Sequence, residues 1–184
     1  RRWRLVAGVD PAPERSRYHQ QLQLAGTPIH AALDEALAAH APELVIIATP
    51  IHTHLPLTEQ ALASGASVLL EKPLCGSLEQ ADALQRAEDA APGFVAVGFQ
   101  GHYAPAMRAF DEAVRAGRLG ALESMRACIF APRDFAYYAR SSWAGALYAA
   151  DGSPVFDGPG MNACAHHIYH QLLVAGAATG HAGA

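Results

Sequence analysis

Lysine is almost missing from this chain. Twelve arginines accompany a single lysine, Lys72, among 184 residues. Arginine in place of lysine throughout a chain is an ordinary consequence of base composition, so the bias itself carries little. A position where lysine persists is different, because an ammonium is a compact charge whose pKa responds to burial, whereas a guanidinium is planar and always charged. Cysteine is scarce as well. Cys75, Cys128 and Cys164 are far apart and odd in number, which argues against a disulfide framework and fits reduced thiols in a cytoplasmic protein. Each reads as a small buried apolar residue. Basic runs are lacking apart from Arg1, Arg2 and Arg4, and the net charge is −4, so nothing favours a nucleic-acid partner. No apolar stretch is long enough to span a bilayer, and the start of the chain lacks the succession of charged, apolar and small residues of a signal peptide. Internal repeats are absent.

What the chain does contain is apolar material, 51% of its residues, enough for one sizeable core or one domain with part of another. Residues 5–9 read as a short buried strand stopped by Asp10-Pro11, with a helix expected to run to about Leu24. A short helix follows at 32–39. The run 43–49 (ELVIIAT) is nearly continuous in apolar residues, as expected for a parallel strand covered on both faces. A helix at 55–64, a strand at 67–70, a helix opened by the capping-box spacing of Ser77 to Gln80, and a strand at 94–99 continue the alternation. Pro105 opens a helix with Met107, Phe110 and Val114 at core spacing. From 122 to 130 the period changes to two, which predicts a strand of a second sheet. That change places a boundary near Gly120, between an N-terminal domain at 1–119 and the opening of a second α/β domain at 120–184. A final helix is expected from about Met161.

Strand alternating with helix in this way predicts a doubly wound parallel sheet, whose ligands sit at the carboxyl ends of the strands. Asp10, Thr49-Pro50, Glu71-Lys72-Pro73 and Gln100 each follow a strand. Two roles are open to Asp10: accepting hydrogen bonds from an adenosine ribose, as the acid closing the second strand of a dinucleotide-binding unit does, or capping the next helix. On this reading the chain begins after the first strand and the glycine-rich pyrophosphate turn. Both are therefore expected to lie upstream, with the strand itself between those ending at Asp10 and Thr49.

Thr49-Pro50-x-x-x-His54 after an apolar strand, then Glu71-Lys72-Pro73 after the next, then Gly98-Phe99-Gln100 and a helix ending Arg115-x-Gly117-Arg118-x-Gly120, resembles the Gfo/Idh/MocA oxidoreductases. The resemblance covers nearly the whole chain. It implies a Rossmann domain binding NAD, with NADP the less expected cofactor, followed by an open-sheet α/β domain in a homo-oligomer. The implied cofactor residues are Asp10, Thr49, Pro50, His54, Glu71, Lys72 and Gln100. Lys72 corresponds to the lysine lying beside the nicotinamide and the reacting hydroxyl. The family's D-x-x-x-H pair corresponds to Asn162-Ala163-Cys164-Ala165-His166, which keeps the spacing and the catalytic histidine but has asparagine for aspartate. Pro132-Arg133, Tyr137-Tyr138-x-Arg140 and Trp143-Ala144-Gly145, followed by N-A-x-A-H, are similar to one branch of that family.

These residue types suit the implied chemistry. Oxidising a secondary alcohol requires a base for the hydroxyl proton and a stabiliser for the developing alkoxide, roles that fit His166 and Lys72. Sugar-like or cyclitol substrates would suit Asn162, Arg133, Tyr138 and Trp143, although Tyr137, Tyr138 and Trp143 fit packing equally well. Glu71 also has a plain reading, pairing with a neighbour to orient its loop. His166 and His170 share a helix face, but no glutamate of a metalloprotease motif and no evident third ligand accompany them, so no metal is expected. The competing functional class is a non-catalytic dinucleotide-binding or regulatory relative. Asn162 favours it; joint retention of Lys72 and His166 favours the enzyme.

Overall fold

The computed structural model describes residues 3–16 and 18–179. It divides into two compact units. The first comprises Arg1–Thr49, Thr53–Leu70 and Leu78–Ala96; the second comprises Pro50–His52, Glu71–Ser77 and Val97–Ala184.

The first unit is a parallel α/β arrangement. Strand β1 (Gly8–Val9) pairs in parallel with β2 (Ile29–His30), and β3 (Leu44–Ile47), β4 (Ser67–Leu70) and β5 (Val95–Val97) form a second sheet in that order. Val45 faces Val68 and Ile47 faces Leu70 across the parallel β3–β4 ladder. Helices α2 (Leu33–His40), α3 (His54–Ala63) and α4 (Leu78–Asp89) alternate with these strands, α3 lying on β3 and β4 and packing beside α2 and α4. Val68, Leu70, Ala61, Leu62, Ile47 and Leu84 are buried. Gly93, just before β5, lies so close to β4 that a Cβ there would meet the Ala66 carbonyl oxygen at 2.7 Å.

The two sheets do not join. Among the described residues β1 is paired only with β2, and β3 only with β4. Their other edges border a groove of about 670 Å³, with Leu5, Val6, Ala7, Gly8 and Val9 on one wall, Leu44–Ile47 on another, and Leu33, Ala36 and Leu37 of α2 beside them. Ile46, expected to be covered as part of a central strand, is 65% exposed.

In the second unit, α5 (Pro105–Arg115) packs against α7 (Ala165–Thr179). Ahead of α5 runs a 3₁₀ turn, Gln100–Tyr103. The short α6 (Phe135–Ala139) is capped by Asp134, whose carboxylate accepts from the Tyr137 N–H at 2.9 Å. Val155 and Val174 are buried.

Four expectations are corrected. The helix from Asp10 to Leu24 is broken into a 3₁₀ turn, Pro13–Arg15, and α1 (His19–Leu24). Asp10 takes the Ala12 N–H at 2.8 Å, Pro13 offers no donor, and Ser16 is extended. Residues 122–130 form no strand, because a period of two makes a ladder only where a partner edge exists, and Leu122 and Phe130 lie exposed. On α5 the covered stripe is Met107, Asp111 and Val114, while Phe110 is exposed. The buried Asp111 carboxylate within that stripe stands 3.3 Å from His102 Nδ1, and α5 packs on α7. The last helix opens with a π-turn, Pro159–Ala163, closed by Cys164 N–H donating to the Pro159 carbonyl at 2.7 Å.

Candidate active site

Lys72 lies two residues beyond the end of β4. Its Nζ donates to two oxygens of one residue, Asn162 Oδ1 at 2.5 Å and the Asn162 carbonyl at 3.1 Å. Asn162 is itself held: its Nδ2 donates to Asp157 Oδ1 at 2.7 Å, while Asp157 Oδ2 accepts the Gly145 N–H at 2.8 Å. One network therefore runs from the ammonium through Asn162 and Asp157 to the Trp143-Ala144-Gly145 turn. Asp157 was not legible in the sequence; an acid five residues before Asn162, within a Gly-Pro loop, carries no motif.

The neighbouring Glu71 accepts the Gln100 side-chain amide at 2.9 Å and the Lys72 backbone N–H at 3.3 Å. These two bonds tie the Glu71-Lys72 segment to Gln100. His166 lies on the first turn of α7, edge-on to Phe99 with ring centroids 5.7 Å apart. Phe99 in turn stacks on Tyr169 at 4.1 Å. Burial depresses the pKa of His166, the Lys72 ammonium and His170 push the same way, and Glu71 opposes them. At neutral pH the imidazole is therefore uncharged and able to accept a proton. Its Nδ1 is buried without a hydrogen-bond partner.

His170 is likewise held neutral, first by burial and then by His102. Among the described residues no group of three or more His, Cys, Asp or Glu side chains is arranged to hold a metal ion.

In the first unit, the residues expected at the cofactor divide by role. Asp10 has one oxygen on Ala12 N–H, and its other oxygen accepts no hydrogen bond among the described residues. Thr49 is exposed at the end of β3, and its hydroxyl accepts from that of Thr53 at 2.7 Å. His54 is only 1% exposed, and its Nε2 lies 3.0 Å from the Thr49 carbonyl, which it serves as a donor. It thus acts on the β3–α3 turn. Pro50 is half-buried at the start of that turn.

On the aromatic loop, Tyr138 covers Gly145, where φ is +74° and a Cβ would lie 2.8 Å from the Tyr138 ring. Arg133 stacks on Tyr137 at 4.5 Å, and Arg140 stands 5.2 Å from the Trp143 ring. Among the described residues no hydrogen bond joins Arg133, Tyr138 or Trp143 directly to Lys72, Asn162 or His166.

Residues 1–99 match the Gfo/Idh/MocA family, described as an oxidoreductase family with an NAD-binding Rossmann fold. The chain belongs to that family. An inositol 2-dehydrogenase from Rubrobacter xylanophilus is 41% identical over 80 residues, covering 43% of this chain and 23% of that protein. A second inositol 2-dehydrogenase, from Leifsonia xyli subsp. xyli, is 35% identical over 115 residues, or 62% and 34% of the two chains. Among solved structures, the WlbA dehydrogenase of Chromobacterium violaceum, in complex with NADH and UDP-GlcNAcA, superposes with a TM-score of 0.78 at 22% identity over 90% of this chain and 46% of that one. The corresponding dehydrogenase of Bordetella pertussis gives 0.73 at 22% identity over 87% and 44%. These superpositions establish the fold. The chain spans at most about a third of the length of the curated relatives it matches.

Within the first unit, the free carboxylate oxygen of Asp10 and the exposed Thr49 hydroxyl are groups of the kind that accept and donate to a ribose diol. No helix among the described residues is long and apolar enough to cross a membrane.

Proposed function

We propose that the protein containing this chain is an NAD-dependent dehydrogenase acting on a secondary alcohol of a sugar or cyclitol. Bound NAD would supply the hydride acceptor. His166, neutral at pH 7, takes the hydroxyl proton, and Lys72 stabilises the oxygen as it becomes negative. The observation that carries this reading is the joint placement of the two: the Lys72 ammonium is fixed by both oxygens of Asn162 and is near enough to His166 to depress its pKa. Asn162 thus positions the ammonium, and Arg133, Tyr138 and Trp143 border the substrate. Asp10, Thr49 and Gln100 bind the cofactor, with Pro50, His54 and Glu71 shaping its loops. Asp10 would repel a 2′-phosphate, which supports NAD over NADP.

Inositol dehydrogenase relatives support the substrate class, since both matching proteins of that name act on a cyclitol alcohol. The exposed Phe130 and Phe135 support self-association, and three free cysteines support a reducing, cytoplasmic compartment. The open groove between β1 and β3 supports a further strand supplied from outside residues 3–179, without which this chain alone would be inactive.

A second reading, a non-catalytic dinucleotide-binding relative, is favoured by one observation: Asn162 engages the Lys72 ammonium with two oxygens and leaves it less available to a substrate. Steady-state NAD reduction by the whole protein, with myo-inositol and glucose as trial alcohols, separates the two. For the enzyme, His166→Ala lowers kcat by roughly 10²–10⁴-fold with NAD affinity nearly unchanged, and His167→Ala has little effect. Equal losses at His166 and His170, restored by zinc after chelation, would replace hydride transfer by metal chemistry. NAD binding without turnover on any neutral polyol, sugar acid or sugar phosphate would favour the non-catalytic relative.

A further inference from the structure

Two arginines on the aromatic loop share one ring and form no ion pair among the described residues. The Arg133 guanidinium lies 4.5 Å from the centroid of Tyr137, that of Arg140 lies 4.1 Å from the same centroid, and Arg140 also stands 5.2 Å from Trp143. Like charges gathered around one ring repel, and the ring faces offset part of that cost. Carboxylates are close in sequence but form no ion pair with either guanidinium among the described residues. Asp134 accepts the Tyr137 N–H as the cap of α6, and Asp157 divides its oxygens between Gly145 and Asn162. Neither arginine forms an ion pair among the described residues. Arg140 spends one N–H on the Tyr137 hydroxyl at 3.0 Å and Arg133 one on the Pro132 carbonyl at 3.4 Å. A guanidinium has five such donors, so most remain open. With their faces stacked, the edges that remain are those that pair bidentately with a planar anion.

The pair belongs to the same network as the reacting groups. Trp143 opens the turn whose Gly145 N–H is held by Asp157, and Asp157 holds Asn162, which fixes Lys72. Tyr138, packed on Gly145 from the same helix as Tyr137, ties the loop to that turn. Resting on the dehydrogenase reading above, we propose that the substrate is an anionic sugar rather than a neutral polyol. Its carboxylate or phosphate is gripped by Arg133 and Arg140, while the reacting hydroxyl lies at Lys72 and His166.

The test is ligand binding to the whole protein with NAD present, measured by isothermal titration calorimetry. Three probes of one ring type are compared: glucose, glucuronate and glucose 1-phosphate. At least one anionic probe should bind roughly 10–100-fold more tightly than glucose, the gain expected of charge-assisted hydrogen bonds. The preference should weaken as salt is raised. A preference for glucuronate alone identifies a sugar acid; a preference for glucose 1-phosphate alone identifies a phosphoryl group. Arg133→Gln with Arg140→Gln should abolish the preference while leaving NAD affinity unchanged, which also reports that the protein is folded. Arg140→Lys should retain part of it, since charge remains but the fork and the stacking are lost. Equal binding of the three probes, binding of none, or an anion preference that survives the double substitution overturns the proposal. Anion binding with no NAD reduction on any probe leaves the anion site standing and removes the dehydrogenase reading instead.

Discussion

On the proposed reading, proton transfer at His166 depends on two neighbours of opposite sign. Burial and the Lys72 ammonium lower its pKa, and Glu71 raises it. The base is active when unprotonated, so alcohol oxidation should fall as pH drops through a value below 6.5, the ordinary value of the group. Lys72→Met removes a lowering influence, so the acid limb of kcat/KM should move to higher pH as the rate itself declines. Glu71→Gln removes a raising influence and should move that limb to lower pH. Opposite displacements of the two pH profiles are the expected result. Displacement in the same direction would show that the loop, and not the charges, governs the imidazole. The lone lysine marked this position in the sequence; the neutral state of its histidine depends on burial, which sequence does not carry.

Element by element, the strands and helices of the first unit follow from their residues. The apolar run before Thr49 forms β3, and the next forms β4 at the expected residues. The failures share a physical cause, competition from an outside partner or the lack of one. Residues 122–130 have the alternation of a strand but pair with no edge among the described residues, and α5 buries Asp111, whose carboxylate lies beside His102, in place of Phe110. Close approach between elements is equally invisible in sequence. Gly93 reads as a loop glycine, yet a methyl there would meet the Ala66 carbonyl oxygen at 2.7 Å, and backbone cannot yield as a side chain end can. Gly93→Ala should therefore destabilise by about 1–3 kcal/mol through overpacking, read as a lowered Tm. Gly26→Ala is the comparison: nothing lies near its Cβ position, so the cost there is that of a positive φ alone. A Tm unchanged by Gly93→Ala would mean that β5 shifts freely against β4.

Across the first unit, two parallel sheets stop short of each other with apolar edges bare. Ile46 and Val9 are exposed on either side of the groove, and such edges invite pairing with other chains. The 184-residue chain should accordingly aggregate or bind NAD weakly. A longer form with an apolar strand ahead of residue 1 should be more soluble, bind NAD more tightly, and prefer NAD to NADP through Asp10. Sedimentation and NAD(P) titration of the two forms check this. A monomeric 184-residue chain with micromolar NAD affinity, or tighter binding of NADP, would count against it.

Periodicity was enough to predict a parallel α/β fold, and the resemblance carried by the motifs after the strands pointed to its family and to Lys72 and His166 as the groups worth testing. Those are properties of local order along the chain: a strand end, a tripeptide, a spacing of four on a helix. The tertiary structure alone decided that Asn162 holds Lys72 with two oxygens, that Asp157 links it to Gly145, and that two arginines meet on one tyrosine. Lys72 and Asn162 are 90 residues apart. A contact over that distance is determined by how the chain closes on itself, and no local pattern of residues encodes it.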